Sequence, residues 1–372
     1  MRTYHSTHIS ILKDYRNEHT DDTESINDII KVVRSVCKEF DILLDECECT
    51  NAPQIYKLKF TVANVQSATK LQGKLKAISN TTDLMLGCVG TRCIIRNGFT
   101  VEIPKQNRTT VGFNETLDYN AKDYTLPCSI GLDTNNEKVI IDLAKAPHLL
   151  VAGSTGSGKS VVVNDIIMSL ITYRHYEELK FIMIDPKQVE FSVYEKLPHL
   201  ATPIITDKSY AISVLNELIE KMDSRYDYLS QNGYRNIDEC EHLPFPRCIV
   251  FIDELADLIN HNKAETELAL ETLLAKGRAC GIHLVVATQS PNRETISKKI
   301  QANIPCAIAL TTKSIYDSKT ILDYGGAEKL MGKGDALLKS PTEIGFRRFQ
   351  SAMITTKEIK YQVENTYRIT DD

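Results

Sequence analysis

Residues 153–160 read Gly-Ser-Thr-Gly-Ser-Gly-Lys-Ser, a glycine-rich octapeptide that ends in lysine and a hydroxyl residue. The apolar run 148–152 before it predicts a buried strand, and residues 161–171 after it predict a helix that begins directly at the octapeptide. Such a loop lets successive backbone N–H groups converge on an anion, and the helix N-terminus adds partial positive charge. The arrangement predicts a phosphate-binding loop, or P-loop.

A P-loop in this context predicts binding of a nucleoside triphosphate, which we take to be ATP with Mg²⁺. Lys159 would reach the β- and γ-phosphates, and the Ser160 hydroxyl would be a magnesium ligand. The predicted ATP-binding residues are those of the loop and the start of its helix: Gly153, Ser154, Thr155, Gly156, Ser157, Gly158, Lys159, Ser160 and Val161.

Two acidic residues follow a second apolar strand at 248–252, and they predict hydrolysis of the nucleotide. Asp253 would hold Mg²⁺ through water, and Glu254 would polarise the attacking water as general base. The alternative is that the pair simply begins a helix, where negative charge is favoured. The P-loop in the same chain favours the catalytic interpretation.

Two further polar residues flank a third apolar strand. Gln289 ends this strand and would sense the γ-phosphate or orient the water; the alternative is an ordinary surface glutamine. Arg278 lies at the end of a helix before the strand, where the helix dipole by itself favours a cation. Its functional interpretation is an arginine finger that enters the nucleotide site of a neighbouring subunit.

These motifs together resemble the motor of the FtsK/SpoIIIE family of DNA translocases. The resemblance covers roughly residues 126–340 and includes IDPKQVEFSVYEKLPHL at 184–200, VFIDELADL at 250–258 and GRACGIHLVVATQ at 277–289. It implies a homo-hexameric ring of ATPases that moves double-stranded DNA through a central pore, with nucleotide sites between subunits. One departure is Ser290, where the family usually has arginine; Arg293 is the nearest replacement.

The resemblance also implies that pore-facing loops contact DNA. The segment after Gln289 carries Arg293, Lys298 and Lys299, and Arg235 follows a predicted long helix. Each is expected to contact phosphates without reading bases, and the alternative for each is a solvated surface residue.

Composition limits the remaining classes of function. The chain has 372 residues with a net charge of −5, which argues against a globally basic nucleic-acid coat. Its ten cysteines lack CxxC spacing, so reduced thiols in a cytoplasmic protein are favoured over a zinc site. No apolar run approaches 18 residues and the N-terminus is not of signal-peptide type, so we expect no membrane segment.

The fold class that we predict is α/β: a RecA-like P-loop NTPase with a largely parallel sheet, plus a small N-terminal α+β domain. The predicted division is an N-terminal arm and helix (1–44), a small domain resembling the family's α domain (45–107), a connection (108–125), the motor domain (126–356) and a polar C-terminal tail (357–372). Within the motor, we expect two late strands at 335–339 and 344–351 to form an edge hairpin.

The function that we expect is ATP-driven translocation of duplex DNA. Because membrane and winged-helix regions are not evident, a motor serving a phage or other mobile element, or a truncated chain, fits better than a cell-division pump. Two alternatives stay open: a coupling or packaging component that binds DNA and a partner enzyme through the N-terminal arm, and an ATPase for protein export.

Overall fold

The computed structural model describes residues 12–13, 15, 23–95, 98–118, 121 and 124–368. Its described residues divide into two compact units. The small unit consists of Asp14–Val111 and Leu132–Glu137, and the large unit contains Gly112–Gly131 and the chain from Lys138 onward. Most of the predicted N-terminal arm and residues 369–372 of the predicted tail lie outside the described residues.

The small unit is a four-stranded antiparallel sheet with two helices, in the strand order β1-β2-β4-β3. Its elements are α1 (Thr23–Glu39), β1 (Leu44–Asn51), β2 (Ile55–Val62), α2 (Val65–Leu86), β3 (Arg92–Ile95) and β4 (Phe99–Pro104).

The core of the small unit includes α1, although we predicted the N-terminal arm and helix (1–44) as a segment separate from the small domain (45–107). Val33, Val36 and Cys37 form its buried stripe and pack in one cluster with Leu58 and Val101 of the sheet. Apolar side chains at helical spacing stabilise the fold only when the helix is covered, which is why α1 joins the sheet.

The small unit also takes in the turn between two strands of the large sheet. Asn136 Nδ2 donates to the Asn51 carbonyl at 3.1 Å, and Asp133 Oδ1 accepts from the backbone N–H groups of Asn135 and Glu137 at 2.8 and 2.9 Å. This unit is therefore built from two stretches that are separated along the chain.

The large unit carries a nine-stranded sheet in the order β6-β5-β13-β12-β11-β7-β10-β9-β8. Its strands are β5 (Pro127–Asp133), β6 (Lys138–Asp142), β7 (His148–Ala152), β8 (Leu179–Ile184), β9 (Arg247–Ile252), β10 (Ile282–Thr288), β11 (Cys306–Ala309), β12 (Asp335–Lys339) and β13 (Phe346–Ser351). Its helices are α3 (Phe113–Thr116), α4 (Lys159–Tyr173), α5 (Lys208–Gln231), α6 (Leu255–His261), α7 (Lys263–Lys276), α8 (Lys298–Asn303), α9 (Ile315–Leu322) and α10 (Thr356–Arg368).

Five neighbouring strands of this sheet, β11, β7, β10, β9 and β8, are parallel. Strands β7, β9 and β10 are buried along their whole length, as expected for a parallel sheet covered on both faces. The α/β class with a largely parallel sheet is confirmed. Because neighbouring parallel strands have their carboxyl ends at the same edge of the sheet, the carboxyl ends of β7, β10 and β9 lie side by side.

The late hairpin is not at the sheet edge, so that prediction is wrong. Strands β12 and β13 pair as expected, but β13 is followed by β5 and β6 in the sheet. At Gly131 in β5, a Cβ would lie 2.0 Å from the Gln350 carbonyl oxygen in β13. Only glycine permits this close approach of two strands.

The C-terminal segment is a helix where we predicted a polar tail. Thr355 and Glu358 form a reciprocal cap: Thr355 N donates to Glu358 Oε2 at 2.7 Å, and Glu358 N donates to Thr355 Oγ1 at 3.3 Å. Ile359 and Val363, four residues apart in α10, are each 2% exposed and supply the buried face.

None of the helices in the described ranges is long and apolar enough to cross a membrane. All ten cysteines, which lie within those ranges, are unpaired.

Candidate functional site

The P-loop connects β7 to α4 and has the backbone shape that a phosphate cradle requires. Gly158 precedes α4 with φ of 109°, and a Cβ there would lie 2.8 Å from the Gly334 nitrogen. No side chain of the described residues caps α4, so the N–H groups of its first turn are free of the usual cap. A helix start of this kind fits a phosphate group.

Backbone contacts from two other segments fix the loop. Ser154 N and Oγ both donate to the Thr311 carbonyl, at 2.8 and 2.9 Å. Gly334 N donates to the Ser157 carbonyl at 2.8 Å. The loop is thus held by the residues that follow β11 and by those that precede β12.

Lys159 and Asp253 form a buried ion pair at the centre of the site. Lys159 Nζ lies 2.6 Å from Asp253 Oδ1 and 2.6 Å from the Asp253 carbonyl oxygen. Each side chain is 4% exposed. The pair joins the P-loop helix to the carboxyl end of β9, which brings together two residues that are 94 positions apart.

Glu254 follows directly and contacts the carboxyl end of β10. Thr288 Oγ1 donates to Glu254 Oε1 at 2.6 Å, and Gln289 N donates to Oε2 at 3.1 Å. Glu254 is also the N-cap of α6, as the simpler interpretation of the acidic pair required. Lys187 Nζ lies 3.9 Å from Glu254 Oε2. These contacts orient a carboxylate beside the P-loop.

Gln289 connects the β10 end to the P-loop. Its Oε1 accepts from Thr155 Oγ1 at 2.7 Å. Together with the Glu254 contact to Gln289 N, this bond links the loop, β9 and β10. A γ-phosphate at the loop would therefore lie among groups that already contact one another.

Glu190 is a site residue that we did not predict. Ser160 Oγ donates to Glu190 Oε1 at 2.7 Å. Glu190 lies in the segment after β8 and within the 184–200 motif, but its contact with a residue 30 positions earlier has no local signal.

The residues present fit ATP with magnesium. Among the described residues no group of three or more His, Cys, Asp or Glu side chains is placed to hold a metal by itself. A magnesium ion that arrives with a nucleotide needs only one or two protein oxygens, because phosphates and waters complete its shell. Ser160 and Asp253 are the residues that would supply these oxygens, Asp253 through water.

Arg278 is not part of this edge of the sheet. It lies in a 3-10 turn, Gly277–Cys280, before the amino end of β10. The seven residues of β10 separate it from Gln289, a span of roughly 23 Å at about 3.3 Å per residue. Arg278 therefore does not reach the nucleotide site of its own chain.

Two buried histidines lie near Arg278 at the amino ends of the strands. Burial lowers the pKa of His148 to about 4 and of His283 to about 3. Positive charge on Arg278 lowers both pKa values further, and that of His283 is also lowered by Arg247 and by the repulsion that a protonated His148 would exert. Both rings are accordingly neutral at pH 7, and His283 Nδ1 lies 3.0 Å from the Pro147 carbonyl oxygen.

The four predicted DNA-contacting residues are exposed, but the structure does not bring all of them together. Arg293 follows β10 and bonds Gln301, whereas Lys298 and Lys299 begin α8, with Lys299 Nζ 3.3 Å from Glu271 Oε2 on α7. Arg235 follows α5 beside the turn Ile237–Glu239, which packs near the amino end of β10. Arg235 and Arg293 thus lie at opposite strand ends.

A glycine cradle at the end of a parallel strand, with its lysine paired to the acidic residue of a neighbouring strand, defines a P-loop NTPase of RecA-like fold. The FtsK/SpoIIIE family model matches residues 116–243. This part of the chain is therefore a domain of the FtsK/SpoIIIE family, and the resemblance in the motifs is confirmed.

Two relatives agree with this assignment. The chain is 35% identical to the DNA translocase SftA of Bacillus subtilis over 91% of this chain and 37% of that protein. It is 41% identical to the DNA translocase FtsK of Haemophilus influenzae over 70% of this chain and 55% of that protein. The chain thus spans between about a third and just over half of these relatives.

The solved structure of the pCW3 conjugation coupling protein TcpA, in a monomer form with ATPγS, superposes with a TM-score of 0.64. It is 21% identical, and the match covers 92% of this chain and 99% of that one. At this identity the similarity shows a shared fold.

Proposed function

We propose that this protein hydrolyses ATP and uses the reaction to move double-stranded DNA. The observation that carries the proposal is the contact network of the P-loop, in which Lys159 pairs with Asp253 while Glu254 and Gln289 meet at the adjacent strand end. Family membership and the names of the two DNA translocases supply the DNA part of the proposal.

Each residue of the site has a step to perform. When ATP binds, Lys159 Nζ gives up part of its hydrogen bonding to Asp253 and donates to the β- and γ-phosphates instead. Glu254 takes a proton from the attacking water through Oε2, which has a second lone pair beside the one that accepts from Gln289 N. Gln289 contacts the γ-phosphate, and its hydrogen bond with Thr155 connects that contact to the P-loop. Bound magnesium would neutralise charge that develops on the phosphate oxygens.

We further propose that the working form is a homo-hexameric ring with Arg278 acting in the nucleotide site of a neighbouring subunit. The position of Arg278 supports this, because roughly 23 Å of β10 separates it from its own P-loop edge. A guanidinium supplied by a second subunit would stabilise transition-state charge only in the assembled ring.

DNA-stimulated ATP hydrolysis tests the proposal. Phosphate release is measured with duplex DNA, single-stranded DNA and no nucleic acid, with Glu254→Gln as the inactive control. We expect the duplex to stimulate most and the variant to bind ATP without turnover. A rate of phosphate release that duplex DNA does not change would refute translocation and favour a coupling, packaging or export ATPase. Hydrolysis by Glu254→Gln would place the general base elsewhere.

The proposal places the protein in the cytoplasm, where ATP and duplex DNA are both present. Two further points stay predictions from the sequence. One is that the protein serves a phage or other mobile element, and the other is that it binds a partner enzyme through the N-terminal arm.

A further inference from the structure

The Ser160 hydroxyl has a carboxylate partner that does not belong to the acidic pair after β9. Its Oγ lies 2.7 Å from Glu190 Oε1. An ionised carboxylate only accepts hydrogen bonds, so the hydroxyl proton points to Glu190.

This direction of the proton matters for a metal ligand. A serine hydroxyl binds a cation through an oxygen lone pair, which requires that its proton point away from the metal toward another acceptor. The other two carboxylates of the site have different donors: Asp253 accepts from Lys159 Nζ at 2.6 Å, and Glu254 accepts from Thr288 Oγ1 and Gln289 N. Glu190 is therefore the group that accepts the hydrogen bond of the Ser160 hydroxyl.

The backbone around Glu190 is fixed on both sides of this contact. Asp185 Oδ2 accepts from the Glu190 and Phe191 N–H groups, at 2.9 and 3.0 Å. Phe191 and Tyr194 are 1% and 0% exposed, and Tyr194 Oη donates to Asn164 Oδ1 of α4 at 2.9 Å. The segment is thus attached to α4, the helix that carries Ser160. This attachment holds the backbone of Glu190 close to the Ser160 hydroxyl.

We propose that Glu190 is a positioning residue for magnesium, because it orients the Ser160 hydroxyl with its lone pair toward the ion. This inference rests on the proposed binding of ATP with Mg²⁺. It assigns to the segment after β8 a part in metal binding, in addition to its place in the fold. Partners that orient metal ligands in this way typically change metal affinity by about 10- to 100-fold when removed.

The test compares nucleotide affinity with and without the metal. A fluorescent ATP analogue is titrated into the full chain in excess Mg²⁺ and again in EDTA, for wild type, Glu190→Ala and Glu190→Gln. Glu195→Ala is the matched control, since Glu195 is an exposed carboxylate five residues later on the same segment. Far-UV circular dichroism melting verifies that each variant folds.

We expect Mg²⁺ to tighten binding in wild type, and Glu190→Ala to lose about 10-fold or more of that increase. All four proteins should bind equally in EDTA. Glu190→Gln should keep most of the increase, because its amide oxygen still accepts from Ser160 Oγ. Glu195→Ala should match wild type.

Three results would overturn the inference while leaving the proposed ATP–magnesium site intact. A Glu190→Ala protein with the full magnesium effect would show that Ser160 needs no acceptor. Equal weakening in Mg²⁺ and in EDTA would indicate a purely structural role. Loss in Glu190→Gln as large as in Glu190→Ala would mean that charge, not hydrogen-bond acceptance, matters. If wild type itself binds nucleotide without any magnesium effect, the proposed ATP–magnesium site fails and this inference fails with it.

Discussion

Replacement of Lys159 by methionine is expected to destabilise the nucleotide-free protein as well as to abolish ATP hydrolysis. The buried pair with Asp253 is the reason, since each side chain is 4% exposed and the charged atoms are 2.6 Å apart. Methionine preserves much of the side-chain length, so the substitution removes mainly the charge. Asp253 then remains as a buried carboxylate without its cation.

The size of the effect follows from this geometry. At an effective dielectric constant of about 20, unit charges 2.6 Å apart attract each other by about 6 kcal/mol, before the cost of desolvation is subtracted. Removal of one partner of a buried pair costs about 3–5 kcal/mol. We therefore expect Lys159→Met to lower the free energy of unfolding by about 3 kcal/mol or more.

Urea denaturation without nucleotide provides the measurement. Because the chain has no tryptophan, unfolding is followed by far-UV circular dichroism. Lys263→Met is the matched control, since Lys263 is also the first residue of a helix of the large unit but is exposed. The Lys159→Met/Asp253→Asn double variant completes a cycle in which we expect about 2 kcal/mol or more of coupling. A stability loss under about 0.5 kcal/mol, or strictly additive changes, would refute the reasoning.

Arg278→Ala should bind ATP normally but lose hydrolysis by about three to five orders of magnitude; mixing with Glu254→Gln should restore some turnover, and absence of rescue at every mixing ratio would contradict action in a neighbouring subunit. Neutralising Lys298 and Lys299 together should weaken binding equally for unrelated duplexes and flatten the log–log salt slope by about two units per engaged subunit; an unchanged slope would move the DNA contacts elsewhere. His283 stays neutral when folded, with its pKa lowered to about 3, but protonates in the unfolded chain below about pH 6.5. Stability should therefore fall as pH drops, by about 1.4 kcal/mol from this residue between pH 7.5 and 5.5. Urea denaturation at both pH values should show a smaller loss for His283→Gln; an identical loss would contradict the assignment.

The parallel part of the large sheet was predictable from sequence because each of its strands is buried on both faces. Such strands are continuous apolar runs, and the runs predicted at 148–152 and 248–252 correspond to β7 and β9 within one residue. In contrast, β1 was missed. It pairs only with β2 at a sheet edge, and its acidic sequence LDECECTN lacks the alternation of a half-buried strand.

Strand order and distant contacts were the parts that local patterns did not determine. Pairing of β13 with β5 joins segments more than 200 residues apart, so the hairpin was placed wrongly at the edge. The helix α10 did have a local signal, Thr355 followed three residues later by Glu358, but its few apolar residues hid the amphipathic pattern.

The same distinction applies to the site. The P-loop and the acidic pair are contiguous motifs whose chemistry dictates their spacing, and the structure brings Lys159 and Asp253 together. Glu190 could not be found in this way, because its role depends on a contact with Ser160 across the fold.

The discontinuous small unit limits how this protein can be divided by recombination or by cloning. A fragment that begins at Gly112 would keep the turn Leu132–Glu137 but lose Asn51, whose carbonyl accepts from Asn136. The turn would then present polar groups with no native partner. The small unit therefore cannot be exchanged between relatives as one continuous stretch of sequence. The β5–β6 turn must be exchanged together with it.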